Sequence, residues 1–237
     1  MKTFVVGDIH GAYKALLQCF ERSGFDRDND RLIALGDVCD GWTQVRESFD
    51  ELLKVRHLIY ILGNHDAWTL NWAKTGQVNE VWFAQGGNNT LLSYENGPML
   101  PAHVELLDKA PRYLHEDGRF FVHAGMDVSK KIEDQDPELL IWDRKLVVEA
   151  YQKHNADSSF CFAGFKEIFL GHTPTLIFHV DRPLHLCNVW AVDTGAGWSG
   201  KLTMMNIDTK EYWQSDVCQN LYPNVQGRTP YRKKNAS

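Results

Sequence analysis

Asp8, His10, Asp37, Asn64, His123 and His172 each follow a short apolar run. They stand in Gly7-Asp8-Ile9-His10-Gly11, Gly36-Asp37-Val38-Cys39-Asp40, Gly63-Asn64-His65-Asp66, His123-Ala124-Gly125 and Gly171-His172-Thr173. This mixed nitrogen and oxygen set suits divalent ions such as Mn, Fe, Co, Ni or Zn, and it lacks the thiolates of a structural zinc site. Six ligands are too many for one open catalytic ion but enough for two that share a bridging carboxylate. Two ions roughly 3.5–4 Å apart activate a water between them and clamp a phosphoryl group for in-line attack. His65, beside a candidate ligand, is then free to act as general acid on the leaving oxygen. Asp40 lies three residues beyond Asp37 and can fix the tautomer and angle of His65. Arg144 is the candidate cation for the developing negative charge, because a guanidinium grips phosphate with two parallel hydrogen bonds.

Taken singly, these pieces carry little. A Gly-Asp at a strand end is usually a turn, and a lone histidine is usually a satisfied core or surface residue. His57, His103, His115, His154, His179 and His185 are read in that way. Cys39 is read as a small residue packed behind its strand rather than a redox brake. Asp66 and Asp193 are read as supporting or turn residues rather than ligands. The signal lies in the order of the five stretches, each at the end of a strand-like run.

Such placement needs strands whose C-terminal ends share one edge, where open α/β sheets carry their sites. Runs at 2–7, 31–36 and 57–62 read as buried strands separated by helical patterns at 13–23 and from Thr43 to about 56. This βαβαβ beginning predicts parallel neighbours with right-handed crossovers. Gly24 is the expected C-cap of the first helix and Thr43 the N-cap of the second. Residues 67–107 carry Trp68, Trp72, Trp82 and Phe83 among Asn, Gln and Gly, and are expected to form short helices and loops roofing the cleft. Tryptophans that simply pack a helical core are the plainer alternative. Asp117-Gly118 predicts a hairpin between strands near 113–115 and 119–123. A helix is expected over 137–154, and strands at 168–170, 186–192, 202–207 and 211–214, grouped into a second, more antiparallel sheet.

The 237 residues are 43% hydrophobic and 24% charged, with a formal charge of −6, a balance that argues against general nucleic-acid binding. No apolar run reaches the roughly 20 residues of a membrane span, and no signal-peptide core is visible at the start. Five scattered cysteines without CxxC spacing suggest reduced thiols, so a cytoplasmic location is expected. One continuous domain over 1–221 is expected, with 222–237 a polar, basic tail or loosely packed strap containing Arg228, Arg232, Lys233 and Lys234.

The ordered stretches resemble the calcineurin-like metallophosphoesterases, and within them the phosphoprotein phosphatase branch of bacterial and phage serine/threonine phosphatases and diadenosine tetraphosphatases. The resemblance runs from about residue 3 to about 205 and takes in Trp142-Asp143-Arg144 and Asp193-Thr194-Gly195. It implies an α/β (α+β) fold, a two-sheet β-sandwich of mixed strands flanked by helices. It further implies that Asp8 and His10 hold a first metal, that Asp37 bridges, and that Asn64, His123 and His172 hold a second. His65 would donate the proton, paired with Asp40, and Arg144 with Asn64 would meet the substrate phosphate. Two divalent ions, with Mn the expected pair, and a phosphorylated protein or small phosphoester are the implied cofactors and partner. The family's Asp-Arg-Gly stands here as Asp40-Gly41-Trp42, so one phosphate-binding arginine is missing. Losing such a contact costs a few kcal/mol, roughly, of transition-state stabilisation. Arg46, about one helical turn on, is a candidate replacement.

The leading reading is a two-metal phosphomonoesterase acting on phosphoserine or phosphothreonine. A dinucleoside polyphosphate hydrolase or phosphodiesterase, stacking a base on the Trp68–Phe83 aromatics, is the alternative. A catalytically dead metal-binding module would need a ligand or His65 to be lost, and every such position is filled.

Overall fold

The computed structural model describes residues 1–162 and 164–228. Strands β1 (Thr3–Val6), β2 (Arg31–Ala34) and β3 (His57–Tyr60) are linked by helices α1 (Tyr13–Ser23) and α2 (Val45–Leu52). β1 pairs with β2 and β2 with β3, both parallel, as the βαβαβ pattern requires. Gly24 closes α1 in the left-handed conformation at φ 63°. α2 differs from expectation. It starts after Gln44 without a side-chain cap, so Thr43 is not its cap, and it stops at Leu52 rather than near residue 56.

Helix α3 (Asn64–Thr75) begins directly after the third strand, and α4 (Asn88–Ser93) and α5 (Pro101–Asp108) follow. β4 (Tyr113–Glu116) and β5 (Arg119–Val122) form the expected hairpin, with positive φ at both Asp117 and Gly118. The single helix expected over 137–154 is instead two, α6 (Leu139–Trp142) and α7 (Lys145–Ala156). Asp143 breaks it. Its backbone is extended at ψ 138°, and its carboxylate accepts the Leu146 N–H at 3.0 Å, starting the second helix afresh.

The remaining strands are β6 (Glu167–Leu170), β7 (Leu184–Leu186), β8 (Val189–Ala191), β9 (Thr203–Asn206) and β10 (Tyr212–Gln214). The long strand expected over 186–192 is a hairpin arm, because Cys187 turns the chain at φ 58°. Sheet membership also differs from the sequence reading. β9 and β10 complete the first sheet, in the order β10-β9-β1-β2-β3, and the second sheet is β4-β5-β6-β8-β7. Both are mixed: β9 lies antiparallel to β1, while β5, β6 and β8 run parallel.

The two sheets pack face to face with period-two alternation. Val5, Ile33, Phe121, Phe169 and Met205 form the layer between them. Phe121 and Phe169 stack at 4.9 Å. Their strand neighbours Phe4, Val6, Leu32 and Ala34 turn to the helices outside the first sheet, and Phe120, Val122, Ile168 and Leu170 to those outside the second. Among the described residues no helix is long and apolar enough to cross a membrane.

Candidate active site

The C-terminal ends of β1, β2, β3, β5 and β6 deliver the candidate residues to one place, and cross-links between the two sheets lock them there. His123, after β5, reaches the backbone carbonyl of Leu35, after β2, at 2.7 Å. The backbone N–H of His172, after β6, donates to both carboxylate oxygens of Asp8, after β1, at 3.0 and 3.1 Å. His10, Asp37, Asp40 and His172 all adopt left-handed backbone, with φ between 49° and 67°. Such strain persists where surrounding structure over-determines it, and here it turns each strand end sharply into the cleft. Gly36 at φ 93° permits the approach of the third strand's end, since a Cβ there would lie 2.6 Å from the Gly63 nitrogen.

Among the described residues two groups of ligand-type atoms emerge, Asp8–His10–Asp37 and Asp37–His123–His172, each with its ligand atoms within 4.8 Å of one another. Asp37 belongs to both. Asn64 joins the second group, its side-chain oxygen 3.0 Å from His123 Nε2. His10 Nδ1 donates to the Cys39 carbonyl at 2.9 Å and His123 Nδ1 to that of Leu35, which leaves both Nε2 atoms directed inward. His172 Nε2 is buried with no hydrogen-bond partner among the described residues. An orphaned buried imidazole nitrogen beside the shared Asp37 carboxylate fits a metal ligand.

Burial, then Arg228, pulls His10 well below the usual histidine range, and burial, then His123 and Arg144, does the same to His172. Both rings are therefore neutral, the ligating form. Burial also opposes a charge on His123, but the Asp37 and Asp8 carboxylates outweigh it and push that ring up to about 9. Asp37 is held well below the carboxylate range by His123, His65 and His10 despite its burial. Burial and repulsion from Asp193 raise Asp8, and burial raises Asp193 to about 6. So many carboxylates in one dry pocket call for cations.

His65 lies in the first turn of α3 with its N–H on Asp37 Oδ1 at 2.9 Å. Its Nδ1 meets Asp40 Oδ2 at 2.5 Å, leaving Nε2 for the cleft. Asp40 is itself held by two residues that the sequence reading missed. Trp82 Nε1 donates to both carboxylate oxygens at 2.9 Å, and Thr90 Oγ1 donates to Oδ1 at 2.6 Å. Both come from the 67–107 segment, two of whose tryptophans serve the interior: Trp82 is fully buried and Trp72 is 8% exposed, while Trp68 is half-buried. Trp68 packs edge-on against His65.

Asp66 and Asp193 support the loops. Asp66 accepts the N–H groups of Asp37, Val38, Cys39 and Gly63 at 2.7 to 3.3 Å, shaping the turn that carries Asp37. Asp193 accepts the Gly195 N–H. Cys39 is fully buried behind the strand, where burial and Asp66 push its thiol up. Arg144, at the break between α6 and α7, donates through Nη1 to the His172 carbonyl and Thr173 Oγ1, both at 3.2 Å. It lines a cavity of about 340 Å³ with His172, Trp198 and Arg228, walled by Pro174, Leu176 and Ile177. Arg46 is exposed and does not line this cavity.

The sequence and the fold also match known proteins. The family model described as calcineurin-like phosphoesterase matches residues 1–184. The chain is 28% identical to serine/threonine-protein phosphatase 1 of Salmonella typhimurium, over 86% of this chain and 91% of that protein. It is 27% identical to the symmetrical bis(5'-nucleosyl)-tetraphosphatase of Pseudomonas fluorescens, over 94% and 97%. A solved structure provisionally described as a diadenosine tetraphosphatase superposes with a TM-score of 0.68 at 15% identity, covering 90% of this chain and 92% of its own.

Proposed function

Because the chain belongs to the calcineurin-like phosphoesterase family and is a metal-dependent phosphoric ester hydrolase, we propose that its substrates are phosphomonoesters, with phosphoserine and phosphothreonine side chains as their class. Asp8, His10 and Asp37 would hold one divalent ion, and Asp37, Asn64, His123 and His172 a second, with Mn the expected metal. Bound ions of this kind supply Lewis acidity and an activated water. The chain's own residues do the rest. Arg144 grips the phosphoryl oxygens at the cavity wall. His65, oriented through Nδ1 by Asp40, gives its Nε2 proton to the departing oxygen. Asp40 holds the imidazole in that tautomer and is kept in place by Trp82 and Thr90.

The observation that carries the monoester reading is the commitment of the aromatics. Trp72 and Trp82 are interior, and the half-buried Trp68 is taken up by edge-on packing against His65 and Trp142, so none of the three offers a free shelf for a base. A second reading, hydrolysis of a dinucleoside polyphosphate, draws on Phe83. That side chain is 48% exposed and lines a neighbouring cavity of about 250 Å³. Phosphate release by the Mn-loaded protein from a phosphoserine peptide and from diadenosine tetraphosphate decides between them. The higher kcat/KM is expected on the peptide, and cleavage of the tetraphosphate alone would overturn the monoester reading.

A further inference from the structure

Arg228 lies 218 residues from His10 in sequence, yet its Nη1 is 3.0 Å from His10 Nε2. Of the polar, basic segment 222–237, residues 222–228 are described, and they cross the mouth of the cleft. Tyr222 is buried and stacks on Trp42 at 5.0 Å, and the Arg228 N–H donates to the Gly197 carbonyl at 2.9 Å. The guanidinium then lies 4.5 Å over the Trp198 ring, and its Nη2 donates to Gln85 at 3.1 Å. Its stem occupies the space beside Gly41, which has φ 92°. A Cβ at that glycine would sit 3.0 Å from His10 and 3.4 Å from Arg228 Cγ.

The charge of this arginine is unspent. Four carboxylates act on it, Asp37, Asp40, Asp8 and Asp193, but none forms an ion pair with it among the described residues. Its Nε is buried and has no hydrogen-bond partner among the described residues. Drawing a guanidinium into a cleft with neutral hydrogen-bond partners but no counter-charge, and with its Nε unpaired, is costly, and a purely structural strap would be better served by a neutral side chain. Arg228 and Arg144 line the same cavity of about 340 Å³ beside His172. Two arginines lining one small space supply the donors that a tetrahedral oxyanion requires.

We propose that Arg228, delivered by the C-terminal strap across the open face left by Gly41, binds the substrate's phosphoryl group opposite Arg144. This rests on the phosphomonoesterase reading above. The apolar wall of Pro174, Leu176 and Ile177 then receives the part of the substrate beyond the phosphoryl group. Arg46, which the sequence offered for this role, is on the surface.

The test compares the Mn-loaded wild type with Arg228→Ala, Arg228→Lys and Arg228→Gln. Calorimetric binding of inorganic phosphate is the primary readout, with bound Mn per chain and KM and kcat on an aryl phosphomonoester measured beside it. Arg228→Ala and Arg228→Gln are expected to bind phosphate about tenfold to a hundredfold more weakly with bound Mn unchanged. Arg228→Lys, which keeps the stem and the charge but not the fork, should fall between, and added guanidinium should partly restore Arg228→Ala. Phosphate affinity in Arg228→Ala equal to that of a wild type that hydrolyses the ester would overturn the role of Arg228 alone. A wild type that neither binds phosphate nor hydrolyses the ester would overturn the phosphomonoesterase reading, and this inference with it.

Discussion

Thr90 touches no part of the candidate metal centre, yet replacing it should disturb both the fold and the proton donor. Its hydroxyl is fully buried, donates to Asp40 Oδ1 at 2.6 Å and accepts the Asp40 N–H at 2.9 Å. Thr90→Val keeps the shape and removes both bonds. The carboxylate loses a charge-assisted bond worth about 1.5–3 kcal/mol, and the stranded N–H adds about 1–3 kcal/mol. Trp82 still holds both carboxylate oxygens at 2.9 Å, so relaxation is limited and the two costs overlap. A net loss of about 3 kcal/mol is expected, lowering Tm by about 6–12 °C in a domain of this size. Thr90→Ser keeps the hydroxyl and loses only a methyl, about 1 kcal/mol. Urea unfolding should show a lower midpoint for Thr90→Val with an unchanged slope. With Asp40 less firmly held, turnover on a substrate with a poor leaving group should also slow by roughly tenfold. A Thr90→Val protein no less stable and no slower than Thr90→Ser would refute this account of Asp40.

His65→Asn should keep bound metal but slow hydrolysis, most for alkyl phosphates and least for an activated aryl phosphate. Equal slowing on both, measured as kcat, would argue against proton donation by His65. Glu167 tests the second sheet. It accepts from Arg119 Nε at 2.9 Å and Trp190 Nε1 at 3.1 Å and pairs with Lys210 at 2.5 Å. Burial opposes its charge, but Lys210 and Arg119 hold its carboxyl below the ordinary value of 4.5. A depressed carboxyl contributes stability above its unfolded value, lost as pH falls through the folded one. Wild-type Tm should therefore drop below pH 4.5 more steeply than that of Glu167→Gln, and parallel acid limbs in the two proteins would contradict the pairing.

The candidate site was legible in the sequence because its chemistry dictates residue types at strand ends. Asp8, His10, Asp37, Asn64, His65, His123 and His172 needed only the apolar runs before them to be found. Sheet membership was less legible, because pairing is long-range. Nothing local in 203–206 announces that Phe4 will face Asn206. The break before α7 turns on one carboxylate, Asp143, inside a pattern that otherwise continues helical. Trp82 was expected to roof the cleft or to pack a core, and Thr90 carried no signal at all. Only the positions of their donors, aimed at Asp40, set them apart. Arg228 carried no signal beyond a basic, polar composition.

The measurement that bears most directly on the two-ion site is the number of Mn ions held per chain, by equilibrium dialysis of chelator-stripped protein, with Asp37→Asn run in parallel. The shared carboxylate of Asp37 predicts two ions in the wild type, weaker retention of both in the variant, and phosphate release that follows the bound metal. A single ion in the wild type, or two held equally well by Asp37→Asn, would contradict a bridged pair.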